Sequence, residues 1–346
     1  MDKNDSSKKI VLAAGSVFVL MLIFFVKTMS LNTWSFLGAE MPEKPLKIGT
    51  NNWLGYQPLY LARNLKYFDD SPIRLIEYAS ATQVIRAFRN NAIDVACLTL
   101  DEALLLLDSG LDLQVFLVVD ISNGGDVILA KPEIKSLSEI KGHNVGVENT
   151  ALGAFFISRA LETVGLKTSD INIIRSEIDE HESMLLNDDF DAVVTYEPIR
   201  TRLLAKGLHD VFDSSKIPGE IVDVLVASKK TIELYPEKIK TLLDAWFRVL
   251  NHIKTQPDSA ATDMALRLNI GTKDILSAFK GVQWPDLEKN LELMDLPEER
   301  LLKTATKLAR MMNEQKLLHK KIRIEDFFDL SAIKNIKNST SKTYLK

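Results

Sequence analysis

The sequence predicts an α/β fold built as two lobes of similar plan. Three observations carry this. From Pro45 onward, strand-like and helix-like segments alternate, the pattern of mainly parallel sheets flanked by helices. Near-continuous apolar runs such as Ile93 to Leu100 suit strands buried on both faces. After Lys131 to Lys135 the texture changes and the alternation restarts. The second series echoes the first: Asn91-Ala92-Ile93-Asp94-Val95-Ala96 and Asp189-Phe190-Asp191-Ala192-Val193-Val194 each follow a helix and place Asp at the start of a buried strand.

In the first series, Leu46 to Gly49 reads as a strand and Pro58 to Leu65 as a helix. Ile73 to Tyr78 is a second strand. Ser80 caps a helix with Val84, Ile85 and Phe88 on one face. Ile93 to Leu100 is the buried strand. Asp101 is placed to cap the leucine-rich helix that stops at Gly110, and Leu113 to Val119 is the next strand. In the second series, Ser136-Leu137-Ser138-Glu139 matches a capping box. Asn144 to Val147 is a strand, Asn149 or Thr150 caps a helix ending near Gly165, and Ile171 to Ile174 is a strand. A short helix spans His181 to Leu186 and Ala192 to Thr195 is a strand. Pro198 opens a further helix. Val222 to Ala227 is a strand able to return the chain to the first lobe. From Pro236 the pattern is almost purely helical, with Leu243, Trp246, Phe247 and Leu250 at helical spacing. The last ten residues are polar and expected to fray.

The N-terminus is the strongest compositional signal. Lys8 and Lys9 precede Ile10 to Val26, an uncharged run of 17 residues. That length is at the lower edge of a membrane-spanning helix. The preceding lysines favour a cytoplasmic start with the remainder outside. Gly38-Ala39 is a poor cleavage site, because Leu37 stands where a small residue is wanted. An uncleaved transmembrane helix is therefore preferred to a cleaved signal. The expected organisation is a cytoplasmic segment 1–9, an anchor 10–26, a linker 27–44 and then the lobes.

The remaining composition excludes more than it assigns. The chain has 346 residues, 46% apolar, with a net charge of −4. No basic surplus points to nucleic acid. The five histidines are scattered, without metal-ligand spacing. The single cysteine, Cys97, lies in an apolar strand and cannot form an internal disulfide. No Ser/His/Asp, Cys/His or metal constellation indicates an enzyme, and neither cofactor nor metal is expected.

Five segments carry a resemblance. They are Trp53-Leu54-Gly55-Tyr56-Gln57-Pro58-Leu59-Tyr60-Leu61-Ala62, Asp120-Ile121-Ser122-Asn123-Gly124-Gly125-Asp126, Ile140 to Glu148, Thr195-Tyr196-Glu197-Pro198, and Phe212 to Ser215 with Pro218-Gly219. In this order they resemble extracytoplasmic solute-binding proteins of the nitrate, sulfonate, taurine and thiamine-pyrimidine-precursor type. The resemblance spans about residues 45–330. It implies a type II periplasmic-binding-protein fold with two crossing strands as hinge. Lobe one would be 45–126 plus 225–330, lobe two 127–224, and 331–346 a tail. It implies a monomer delivering a small molecule to an ABC permease and ATPase from the periplasmic side of the inner membrane. The chain departs from secreted members in its long apolar N-terminus without a lipid-accepting Cys. It departs from the pyrimidine-synthase branch in lacking a Cys-rich motif and a histidine cluster.

Ligands in such folds meet loops at the carboxyl ends of strands, which selects the candidate residues. Trp53 and Tyr56 follow the first strand and either wall a cleft or plug the neighbouring helix. Ser80 and Asp101 are helix caps that can also face a ligand; Asp101 would suit an amine or hydroxyl. Ser122, Gly125 and Asp126 lie in a segment that reads equally as binding loop or hinge. Asn149 and Thr150 open a helix whose N–H groups could hold an anionic group. Tyr196 and Glu197 leave a buried strand, with Glu197 read as a partner for a ligand amine or as a first-turn acid favoured by the helix dipole. Asp223, in the returning strand, reads as a second carboxylate or a hinge partner. The expected ligand is a small polar molecule: sulfonate- or taurine-like, amino, or pyrimidine-type. The rival readings are a membrane-anchored sensor and, less favoured, a pyrimidine-precursor enzyme.

Overall fold

The computed structural model describes residues 43–343 apart from 70, 295–299, 321 and 325. The expected N-terminal anchor lies outside the described residues. Among those described, no helix is long and apolar enough to cross a membrane. Pro45–Lys346 forms one compact unit organised around two sheets.

The first sheet has six strands. Strand β1 (Leu46–Thr50) pairs in parallel with β2 (Ile73–Glu77) and β3 (Val95–Thr99). On the other side of β3 lies β10 (Val222–Ala227), antiparallel to both β3 and β4 (Gln114–Ser122). A short strand β11 (Val282–Gln283) completes the edge against β4. Every residue of β3 and of β10 is buried, as the apolar runs require of strands covered on both faces.

The second sheet has five strands in the order β7-β6-β8-β5-β9. Here β6 (Asn144–Glu148) runs parallel to β7 (Asn172–Ser176) and β8 (Ala192–Thr195), while β5 (Val127–Ala130) runs antiparallel to β8 and to β9 (His209–Asp213). Both sheets are therefore mixed, a correction to the mainly parallel sheets expected. The reason is connectivity. The chain passes from β4 directly into β5 and returns from β9 into β10, and these crossing strands add antiparallel to the parallel βα units on either side.

Helices cover the sheets as the apolar spacing dictates. After β1, a 3₁₀ turn (Leu54–Tyr56) leads into α1 (Gln57–Asn64). Ser80 caps α2 (Ala81–Arg89) by accepting the Gln83 N–H, and Val84, Ala87 and Phe88 face the core. The leucine-rich helix is α3 (Leu100–Asp108). In the second half, α4 (Ala151–Thr163), α5 (His181–Leu186) and α6 (Ile199–Leu204) follow β6, β7 and β8. Beyond β10 come α7 (Lys229–Leu234), α8 (Pro236–Thr255), α9 (Pro257–Leu268), α10 (Thr272–Ala278), α11 (Leu287–Met294) and α12 (Arg300–Glu314). Along α8 the buried stripe is Ile239, Leu242, Leu243, Trp246, Val249 and Ile253. Phe247 and Leu250 lie at its flank, only partly buried. Residues 337–343 of the stretch expected to fray belong to α13 (Ser331–Thr343), whose preceding Ile333 and Ile336 are buried; 344–346 lie outside the described residues.

Candidate functional site

The two crossing segments are tied to each other. Ser122 Oγ lies 2.8 Å from Ser214 Oγ and accepts the Asp126 N–H at 3.1 Å. Ser214 Oγ also accepts the Gly124 N–H at 2.6 Å. The expected loop from Asp120 is shorter than the sequence suggested: β4 continues through Ser122, leaving residues 123–126 between strands. Gly125 is required by packing. A Cβ there would sit 2.6 Å from the Trp53 ring and 2.9 Å from the Gly281 carbonyl. Ser122 and Gly125 thus serve the crossing and are not among the residues that line the crevice between the two sheets.

A narrow crevice lies where the carboxyl ends of the strands of the two sheets meet, nearly closed in this arrangement, with a cavity volume of about 20 Å³. The first half contributes Asn51, Trp53 and Tyr56 after β1, Ala81 at the start of α2, Thr99 and Glu102 at the β3–α3 junction, and Asp223 from β10. The second contributes Asp126 before β5, Glu148 at the end of β6, Leu152 in α4 and Tyr196 after β8. Antiparallel β10 places Asp223 opposite both Thr99 and Asp120. That register is why a residue near the start of β10 reaches the strand-end side of the sheet.

The walls are aromatic. Trp53 and Tyr196, from opposite halves, meet edge to face with centroids 5.3 Å apart. The Trp53 indole N–H donates to Asp120 at 3.1 Å, and the Tyr56 hydroxyl donates to Asp223. The Tyr196 hydroxyl has no partner among the described residues.

The floor is acidic. Glu102 Oε2 accepts the Thr99 N–H at 3.1 Å, while its buried Oε1 has no partner among the described residues. Glu148 Oε1 is likewise buried without a partner. No Lys, Arg or His is among the described residues lining the crevice. Burial, then the mutual repulsion of the acids, pushes the Glu102 and Asp223 carboxyls well above their ordinary range. Burial raises Glu148 to about 8, reinforced by Glu177, and Asp126 to about 6 against the Ser122 hydrogen bond. Burial, then Asp223 beside Tyr56 and Glu148 beside Tyr196, drives both phenols upward. Each shift has the sign expected of an acid held in low dielectric without a counter-charge.

Of the sequence-predicted residues, Trp53, Tyr56, Asp126, Tyr196 and Asp223 converge on this crevice. Asp101 is buried with its Oδ2 unpaired among the described residues; the others have local duties. Ser80 caps α2. Asp101 is not the cap of α3: that position belongs to Thr99, with Glu102 closing the motif, and Asp101 lies in the first turn. Thr150 caps α4 by accepting the Gly153 N–H at 3.1 Å. Asn149 accepts a hydrogen bond from Arg175. Glu197 accepts the Thr201 N–H at 3.1 Å, turned toward the start of α6 and not into the crevice. Sequence reasoning missed Asn51, Thr99, Glu102, Glu148 and Leu152. Thr99-Leu100-Asp101-Glu102 is a capping-box pattern that would have pointed to Glu102. Glu148 closes the Ile140 to Glu148 segment and is the last residue of β6, a strand-end position that the choice of candidates passed over.

Two mixed sheets linked by two crossing segments, with a crevice between their strand ends, define the periplasmic-binding-protein class of fold. The chain belongs to the NMT1-like family, whose model matches residues 39–269. No curated protein matches it by sequence. Among solved structures it is similar to the alkanesulfonate-binding protein SsuA of Xanthomonas axonopodis pv. citri bound to MOPS, at 14% identity and TM-score 0.72 over 84% of this chain and 100% of that one. The periplasmic aliphatic sulphonate-binding protein SsuA of Escherichia coli is 19% identical, with TM-score 0.66 over 82% of this chain and 97% of that one. The desulfurization enzyme DSZB shares the fold too, at 15% identity and TM-score 0.63 over 86% of this chain and 100% of that one.

Proposed function

We propose that the protein is an extracytoplasmic solute-binding protein. It captures a small polar molecule by closing two lobes, 45–126 with 225–330 against 127–224, and delivers it to an ABC permease and its ATPase. The apolar run 10–26 would hold it at the periplasmic face of the inner membrane. The observation that carries the reading is a crevice lined from both sheets, so that one ligand touches both halves at once. A ligand bridging two halves favours their closed arrangement by its differential affinity. The sulfonate-binding neighbours lend support at the level of fold.

An enzyme of the DSZB kind is the alternative. It is disfavoured because no Cys, Ser, Lys or His is among the described residues lining the crevice, so neither a Ser–His nor a Cys–His pair stands there. A thermal-shift screen of the full-length chain with amino acids, sulfonates, nitrate, pyrimidines and polyamines tests the reading, because binding to the native state raises its melting temperature. The expected result is a ligand that shifts the melt and is recovered unchanged. Recovery of a converted product, or no shift with any compound, contradicts it.

A further inference from the structure

The solved sulfonate-binding neighbours bind anions, yet the crevice of this chain is built for the opposite charge. Glu102, Asp126, Glu148 and Asp223 line it, and no basic side chain accompanies them among the described residues. All four carboxylates are buried. A sulfonate or nitrate placed there would meet no cation among the described residues, and any ionised acid beside it would repel it.

An acidic cluster alone does not define a ligand. The unpartnered atoms do. Glu102 and Glu148 are 2% and 7% exposed, and each keeps one buried oxygen without a hydrogen-bond donor. The two come from opposite sheets and face the same space. Buried polar atoms in folded proteins are almost always paired, so these two carboxyls call for partners that the described residues do not supply. The Tyr196 hydroxyl beside them is also unpaired.

We propose that the crevice takes a small organic cation bearing N–H groups, a primary ammonium or an amidinium, with its N–H donors directed at the free oxygens of Glu102 and Glu148 and its body against Trp53, Tyr56 and Tyr196. The inference rests on the solute-binding reading and specifies the chemical class of the solute. Two other cations fit less well. A quaternary ammonium satisfies aromatic faces but carries no N–H for the orphan oxygens. A metal ion needs several ligands converging on one point, and no group of three His, Cys, Asp or Glu among the described residues is so arranged.

Isothermal titration calorimetry on the full-length chain at pH 8 tests this. The probes are putrescine, propylamine and benzamidine as N–H cations, choline as a cation without N–H, and methanesulfonate and nitrate as anions. The expected result is that at least one N–H cation binds with Kd of about 10 µM or tighter, ahead of choline and both anions. Glu102→Gln and Glu148→Gln should each weaken that binding by about a hundredfold or more, the size of a lost buried charge partner. The Glu102→Gln side chain retains an amide oxygen for the Thr99 N–H, and circular dichroism checks that both variants fold. Tighter binding of an anion or of choline, unchanged affinity in both folded variants, or silence from all three N–H cations overturns the inference. If the wider screen finds an anionic or neutral ligand, the cation assignment falls and the solute-binding reading stands. If neither experiment finds a ligand, both fall.

Discussion

Glu102 does two things with its two oxygens. One closes the start of α3 by accepting the Thr99 N–H, and the other lies buried and unpaired in the crevice. Tyr56 and Trp53 are similarly divided, each a wall whose polar atom is spent on a neighbouring acid, Asp223 or Asp120. Tyr56→Phe removes the donor and leaves Asp223 short of a partner, which should cost about 1–3 kcal/mol in a denaturant titration. Trp53→Ala empties a site that is only 4% exposed and should cost about 3–5 kcal/mol by the same measurement. At this scale the sequence was half legible. The aromatics after β1 and Tyr196 after β8 stand where strand-end reasoning looks. Glu197 reads from sequence as either a ligand partner or a helix-start acid, and here, just ahead of α6, it accepts the Thr201 N–H. Glu148 stands at such a strand end too, as the last residue of β6, but was passed over.

Between elements, the crossing segments decide how the halves can sit. Two serine hydroxyls hold the β4–β5 passage against the β9–β10 return, and Gly125 packs that passage against Trp53 and Gly281. Ser214→Ala strips Gly124 of its acceptor and Ser122 of its partner, and should lower stability by about 1–3 kcal/mol. Gly125→Ala drives a methyl into the Trp53 ring and the Gly281 carbonyl. It should cost about 1–3 kcal/mol and shift the tryptophan emission, while Gly110→Ala, in open space, leaves that emission unchanged. The alternation of apolar segments revealed most strands and helices, because burial on both faces writes an uninterrupted apolar run. It did not reveal strand direction. Val222 to Ala227 reads the same whether it joins parallel or antiparallel, and only the paths through 123–126 and 214–221 fix it. The α13 helix was missed because its two anchoring isoleucines are sparse in a polar stretch.

Over the whole molecule, the acid cluster links stability to pH. Asp126, Glu148 and Asp120 hold their protons to about 6, 8 and 8, each raised chiefly by burial. In the unfolded chain they release them near 4. The native state therefore binds more protons than the unfolded state above pH 4, and stability falls as pH rises. This contribution is fully present below pH 4 and is lost as pH climbs through 6 to 8. In the unliganded protein the melting temperature should drop between pH 4 and pH 8, and Glu148→Gln should flatten that drop. Carboxyls held low by hydrogen bonds and ion pairs, such as Asp191 and Glu220, act with the opposite sign and erode stability only on the acid side.

Closure over a solute is the motion that the proposed function requires. Gln83, on α2 beside the crevice wall, and Asp179, on the turn after β7, are exposed and belong to opposite halves. Cys97 is buried and does not compete for labels. Spin labels on Gln83→Cys and Asp179→Cys, read by pulsed electron resonance, report the separation of the halves directly. Saturation with a ligand found by the thermal screen should collapse a broad set of distances onto a single short one. Identical distance distributions with and without saturating ligand would contradict the account.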